Sequence, residues 1–482
     1  MLSRNLTMLT DFYELTMGNG YFEEGLHEQV VYFDMFFRSV PDKGGFAIMA
    51  GVEQLIQYLE NLNFTKEDIE FLQTKKTFSD GFLDYLANFK FECDVWAVPE
   101  GTPIFPNEPI VKVKGPLLQA QMIETMVLLA INHQSLIATK ANRIVRAAQG
   151  KPVVEFGSRR AQGPDGAVLG ARAAYIGGVV GTACVLADQL YGVPSSGTMA
   201  HSWVQLFQSE YEAFKVYAQH YPDNCLLLID TYHVLKSGIE NAIKVFDDVL
   251  KPLGKRPVGI RIDSGDVAYL SKKVRARLDE AGYDDCKIFV SNSLDENIIS
   301  DLAVQGAKID AYGVGERLIT SKSDPVFGGV YKLVAVESEG VVIPKIKISA
   351  NVEKITTPGA KKVLRFFRKE SGKAIADLLT LEEEIIDTSK PYTLFNPYYT
   401  WKRLTVEDYE VRELLVPIFE GGKRVYESPS LVDIRSYCMV ETEKLWDEVR
   451  RLENPHRYFV DLSEDLWQIK HTLLEEYSEG DY

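Results

Sequence analysis

Cysteine is scarce in this chain: Cys93, Cys184, Cys225, Cys286 and Cys438 are scattered among 482 residues and odd in number. No two form a Cys-x-x-Cys pair, so the sequence suggests neither a disulfide framework nor a zinc site. Long apolar runs are missing as well. No stretch of about 18 apolar residues could cross a bilayer, and Met1–Thr7 carries no apolar core of a leader segment. Positive charge is in deficit, 53 Lys and Arg against 69 Asp and Glu, a net charge of −16. A nucleic-acid or anionic-membrane binder needs a dominant basic surface, so neither partner is expected. A small anion held in a local basic pocket remains open. The expectation is a soluble, cytoplasmic protein.

What is present is enough apolar material, 46% of residues, to build sizeable cores. The length suggests two or three domains, and the pattern divides at two places. Residues 1–135 mix helix and strand signals: a helical pattern through Tyr13, Leu15 and Met17, an aromatic and β-branched strand at Val30–Phe37, and a capping-box start at Thr65 and Asp68. A long helical pattern, Leu117–Ala148, stops at Gly150 and leads into the next segment. Residues 136–343 repeat short apolar strands followed by helical spacing. Asp230 to Asp263 is 33 residues and Asp263 to Ser291 is 28, each close to one βα unit. The fold class read from this is α/β with a parallel barrel pattern. Residues 344–482 begin basic, from Lys345 to Lys369, and the plain reading of that stretch is a solvated strand edge.

Chemistry gathers where the apolar runs end. Asp230-Thr231, Asp263-Ser264-Gly265-Asp266, Ser291-Asn292-Ser293 and Gly313-Val314-Gly315 each close such a run. In a β/α barrel those positions face the substrate. Arg261 and Asp263 lie on one side of a strand, because side chains alternate with period two, and they pair either with each other or with a ligand. Ser264-Gly265-Asp266 is expected to open a helix with N–H groups turned to an anion. The Gly313-Val314-Gly315 segment is either a tight turn or a phosphate cradle. Phe156-Gly157-Ser158-Arg159-Arg160 ends another strand with two guanidiniums, whose paired donors suit phosphate or carboxylate. His201 follows the polar loop Ser195–Thr198. A lone histidine is usually structural, yet it is also the side chain best able to take and return a phosphoryl group.

Five segments in this order resemble the nicotinate phosphoribosyltransferase family of type II phosphoribosyltransferases. They are Leu9-Thr10-Asp11-Phe12-Tyr13-Glu14-Leu15-Thr16-Met17, Glu155–Arg160, Gly197-Thr198-Met199-Ala200-His201-Ser202, Arg261–Asp266 and Gly328-Gly329-Val330-Tyr331-Lys332-Leu333. The resemblance implies an irregular β/α barrel (136–343), an N-terminal α/β domain (1–135) and a C-terminal segment (344–482) packed on both. It implies a homodimer with shared sites, in the ligase class, that joins nicotinate to phosphoribosyl pyrophosphate. ATP hydrolysis would be coupled through a phosphohistidine at His201. Phe156, with Tyr13 from the partner copy, would sandwich the pyridine ring. Arg159, Arg261 and Thr198 would hold the carboxylate or adjacent phosphates. Asp230 and Asp263 would orient the ribose hydroxyls and Mg²⁺, and Ser291, Asn292, Gly313 and Gly315 would take the 5′-phosphate. Arg38 would reach the partner's pyrophosphate. Ala183 stands where the sister family that uses nicotinamide has an Asp. The competing expectations are that sister activity and a non-catalytic nucleotide-binding barrel.

Overall fold

Six short strands, all parallel, run in the spatial order Gly181–Thr182, Val153–Glu155, Ala311–Val314, Lys287–Val290, Gly259–Ile262 and Leu226–Leu228. They belong to the second of two units in the computed structural model, which describes residues 4–351 and 354–478. This unit spans Ile137–Pro325. Buried on both faces, its strands read as near-continuous aliphatic runs such as Leu226-Leu227-Leu228-Ile229, which is what a covered parallel sheet requires. Helices Val267–Glu280 and Glu296–Val304 follow their strands as the βα spacing anticipates. Each begins on a side-chain cap: Asp266 accepts from the Tyr269 N–H and Asp295 from the Ile298 N–H. Among the described residues no ladder joins the Gly181–Thr182 strand to the Leu226–Leu228 strand, so the sheet is not hydrogen-bonded into a closed barrel. What stands is a mixed α/β architecture.

The first unit comprises Met1–Leu136 with Val326–Tyr482. Its seven-stranded sheet interleaves early and late chain: Val30–Phe36 lies between Val330–Ser338 and Val111–Pro116, and Asp94–Ala97 pairs with Val416–Glu420. The composition change at residue 344 falls at the end of the hairpin Val330–Ser338/Val341–Pro344 in this sheet. The expected capping box at Thr65 is present, with Thr65 and Asp68 satisfying each other's backbone. Met1–Ser3, the start of the segment read above for a leader, lie outside the described residues.

The basic stretch corrects the sequence reading. Strand Lys361–Arg368 is no edge; it is paired on both sides, by Ala374–Leu381 and by Tyr409–Glu413. Lys361 and Arg365 are both 1% exposed. Lys361 meets Asp34 at 2.7 Å and donates to the carbonyls of Thr357 and Gly359. Arg365 grips Asp377 with two parallel hydrogen bonds of 2.8 and 2.6 Å, and Tyr458 donates to the same carboxylate. Charge enters a core only with such partners, and these were invisible in the local sequence. Lys345, Lys347, Lys354, Arg368 and Lys369 are exposed as read.

Candidate active site

The C-terminal ends of the parallel strands bring most of the singled-out residues together. Phe156, Asp263 and Ser291 each sit one residue beyond a strand, and Asp230 two beyond. Asp230 is fixed from behind by backbone contact. A Cβ on Gly238 would stand 1.9 Å from the Ile229 carbonyl, so only glycine lets the following helical turn press against the residue that precedes Asp230. That turn is π-helical, Val234–Gly238, an arrangement common beside functional sites.

Asp230 organises the next strand end. Its Oδ2 accepts from the Asp263 N–H at 2.9 Å and from the Ser264 hydroxyl at 2.6 Å. Its Oδ1 is buried without a partner. Asp263 in turn accepts a short hydrogen bond from the Ser291 hydroxyl through Oδ1, and its Oδ2 lies 3.9 Å from His201 Nε2. His201 opens the short helix His201–Leu206, with Nδ1 3.1 Å from the Thr231 hydroxyl. The ring is therefore held on one nitrogen and 40% exposed, with the other facing a carboxylate.

Arg261 does not form the buried ion pair with Asp263 that the sequence left open. Its two terminal nitrogens donate to the Thr198 hydroxyl at 3.1 Å and the Met199 carbonyl at 3.2 Å, and its Nε is buried unpartnered. Burial pulls this guanidinium down from its ordinary pKa. Asp263 and Asp230 push it back up, while Arg159 acts in the direction of burial. Two positive groups that repel each other beside unfilled donors suit an anionic ligand.

A pocket lined by Phe156, Ser196, Thr198, Arg261, Ser291 and Gly313 connects these groups. Gly313 is no turn residue: it lies inside the Ala311–Val314 strand, where a Cβ would stand 2.5 Å from the Phe156 ring. Its lack of a side chain seats the ring. Gly315, the next strand-end residue, starts the short helix Glu316–Ile319. Asn292 (φ 89°) and Ser293 (φ 48°) turn back in the left-handed region, strain of the kind that collects at ligand clamps. Ser264-Gly265-Asp266 forms an exposed bend that leads into the helix, which starts at Val267 with Asp266 as its cap. Arg159 lies exposed in the turn Ser158–Arg160, and Arg160 approaches Glu316 at 3.9 Å.

Two residues stand elsewhere. Tyr13 is in the first unit, 44% exposed near the start of helix Phe12–Glu23, with burial foremost and Glu124 next raising its hydroxyl pKa. Arg38 stands two residues beyond the early strand, which ends at Phe36, and its guanidinium lies 5.6 Å from the Phe36 ring. Reading the sequence missed Glu155, buried and accepting from the Thr182 hydroxyl at 2.6 Å and from the Gly157 N–H, which fixes the turn after Phe156. A carboxylate ending an aliphatic strand was the signal. It also gave no role to Thr231, although that residue follows Asp230 directly.

Comparison with known proteins agrees along nearly the whole chain. Family models described as the nicotinate phosphoribosyltransferase N-terminal domain, the nicotinate phosphoribosyltransferase family and its C-terminal domain match residues 8–132, 152–369 and 360–470. A nicotinate phosphoribosyltransferase of Bacillus subtilis (strain 168) is 43% identical over 474 residues, 98% of this chain and 96% of its own. The crystal structure of human nicotinic acid phosphoribosyltransferase superposes with a TM-score of 0.83 at 30% identity, covering 97% of this chain and 100% of that one. A nicotinate-nucleotide pyrophosphorylase from Pyrococcus furiosus superposes with a TM-score of 0.70 at 26% identity, covering 91% and 96%.

Proposed function

Because the chain belongs to the nicotinate phosphoribosyltransferase family, we propose that the cluster of Asp230, Asp263, His201 and Arg261 is where it makes nicotinate mononucleotide. The activity is nicotinate phosphoribosyl transfer, which serves NAD biosynthesis. The observation that carries the site assignment is the pairing of unfilled groups at one rim: a buried Asp230 oxygen without a donor and a buried Arg261 Nε without an acceptor. Buried polar atoms are normally paired with protein or water, and an acceptor and a donor left open at one rim suit a ligand that carries both.

The ring nitrogen of nicotinate forms a bond to the anomeric carbon of phosphoribosyl pyrophosphate as the bond to pyrophosphate breaks, and pyrophosphate leaves with the electron pair. Positive charge develops on the ribose in between. Asp230 Oδ1 and Asp263 face that charge and the ribose hydroxyls, a fixed field that needs no reorganisation. Phe156 stacks on the pyridine ring. Arg261, aided by Arg159 and Thr198, holds the nicotinate carboxylate or adjacent phosphates, and Ser291 and Asn292 take the 5′-phosphate at the strained turn. Gly313 and Gly315 serve by leaving room.

The donor set fits Mg²⁺. No group of three or more His, Cys, Asp or Glu that could hold a metal ion occurs among the described residues. Mg²⁺ typically takes one or two carboxylates and draws its remaining oxygens from water and phosphate. Asp230 and Asp263 would hold it, directly or through water, and it would neutralise the departing pyrophosphate. ATP is the co-substrate. With Nδ1–H donating to Thr231, the Nε2 lone pair of His201 accepts the terminal phosphoryl group, and ADP leaves.

The open parallel sheet is an irregular β/α barrel in this reading. Support comes from the His201–Thr231 contact, which joins segments that follow the two edge strands. The enzyme works as a cytoplasmic homodimer. Segment 1–135 lends Tyr13 and Arg38 to the partner copy, segment 136–343 carries the reacting groups, and 344–482 contributes none. The exposed Phe12-Tyr13 pair supports the partner-facing role, and five free cysteines suit a reducing compartment. The test is pyrophosphate release with nicotinate or nicotinamide, with and without ATP. Nicotinate is expected to win by at least about a hundredfold in kcat/KM, on the order of 3 kcal/mol, and to be stimulated by ATP. Comparable values for the two bases overturn the reading.

A further inference from the structure

A second cavity, about 300 Å³, opens at the other end of the same parallel sheet, around the N-terminal ends of its strands. Lys287 is the first residue of its strand and Ser291 the residue after the last, so the two ends lie roughly 13 Å apart at about 3.3 Å per residue. The volume is at the lower end of the range for small-molecule pockets, about 300–1,000 Å³. Its charged lining is Lys151, Arg275, Lys287 and Lys308, against Asp284 and Asp310.

The state of these groups is informative. Arg275 is fully engaged, donating to Asp279 and to the carbonyls of Cys286 and Tyr283. Asp310 is engaged too, accepting from the Ile288 N–H at 2.8 Å. The three ammonium groups are not. None of them lies within 4.0 Å of a carboxylate among the described residues, although two carboxylates line the same cavity. A lysine just after a helix C-terminus complements the helix dipole; Lys151 and Lys308 stand four residues beyond theirs, whereas Lys287 is the seventh residue past Glu280. The dipoles therefore do not account for three lysines lining one cavity on a chain of net charge −16.

We propose that this cavity binds a phosphate-bearing small molecule, held by Lys151, Lys287 and Lys308 at the end of the sheet opposite the reacting groups. A diphosphate, free or as part of a nucleotide, presents enough oxygens for three ammonium donors, and lysine suits it as a point-charge partner.

The test uses pyridoxal 5′-phosphate, an aldehyde that carries a phosphate, on the full-length enzyme, with borohydride reduction and peptide mapping. Brief exposure is expected to label Lys151, Lys287 or Lys308 well above other exposed lysines, with inorganic pyrophosphate protecting them. Protection by ATP at lower concentration than by pyrophosphate identifies a nucleotide, and the reverse order free diphosphate. The double variant Lys151→Glu/Lys308→Glu should lose the protectable labelling of Lys287 and keep its rate of pyrophosphate release. If that variant fails to fold, Lys287→Gln alone must raise the half-protecting pyrophosphate concentration several-fold. Labelling no stronger than that of other exposed lysines, labelling that pyrophosphate leaves unchanged, or equal protection by sulfate overturns the proposal.

Discussion

His201 is held through Nδ1 by Thr231 while Nε2 faces Asp263, so substitution separates two functions. A phosphoryl group on this ring adds about two negative charges beside Asp263 and near Arg261, enough to reorder the polar loop from Ser195. His201→Ala is expected to abolish ATP hydrolysis and ATP stimulation while leaving slow, ATP-independent synthesis. Acid-labile label from γ-labelled ATP that persists in the variant would sink the assignment. Ala183 offers a second test. It is exposed just beyond the Gly181–Thr182 strand, and its N–H donates to the Glu155 carbonyl, next to Phe156. An aspartate there would face the carboxylate of nicotinate, and like charges at close range repel. Ala183→Asp should lower kcat/KM for nicotinate by about tenfold or more, a penalty of at least ~1.4 kcal/mol. An unchanged value means the ring does not bind beside this strand end.

At the level of strands and helices, the buried charges set the pH response. Asp461, on strand Val460–Leu462 beside Ala374–Leu381, has a buried Oδ1 with no partner, and burial raises its pKa to about 7. The folded state then holds a proton that the unfolded chain, with a carboxyl near 3.9, has released. Stability from this group is full below about pH 4 and declines as pH rises to about 7. Asp461→Asn should raise the melting temperature at pH 8, by on the order of 1–2 kcal/mol in stability, and change little at pH 4. Glu14, raised to about 7 by burial, gives a slope of the same sign, so the difference between variant and parent is the quantity to measure. Parallel melting curves across the range would refute the assignment. The same scale shows what the sequence could reveal. The βα rhythm and the strand-end residues Asp230, Asp263 and Ser291 were legible because period and polarity are local properties. The seat that Gly313 makes for Phe156, the ties Lys361–Asp34 and Arg365–Asp377, and the two-sided pairing of Lys361–Arg368 were not. Each depends on a partner that only the folded chain brings near.

For the whole molecule, a homodimer with shared sites makes a prediction about mixtures. Tyr13→Ala and Asp263→Ala proteins should each be inactive alone. After subunit exchange, a mixed pair regains one competent site, and activity measured against mixing ratio should rise to a maximum between the pure proteins. A flat line at zero ends the shared-site proposal. The net charge of −16 surrounds a rim where Arg159 and Arg261 stand close enough to repel each other. Anionic substrates are therefore repelled at a distance and attracted only within about a Debye length of that rim, ~8 Å at physiological salt. A diphosphate already neutralised in part by Mg²⁺ crosses that outer barrier more readily than the bare anion, so the protein's far field sorts the two forms before any side chain touches either.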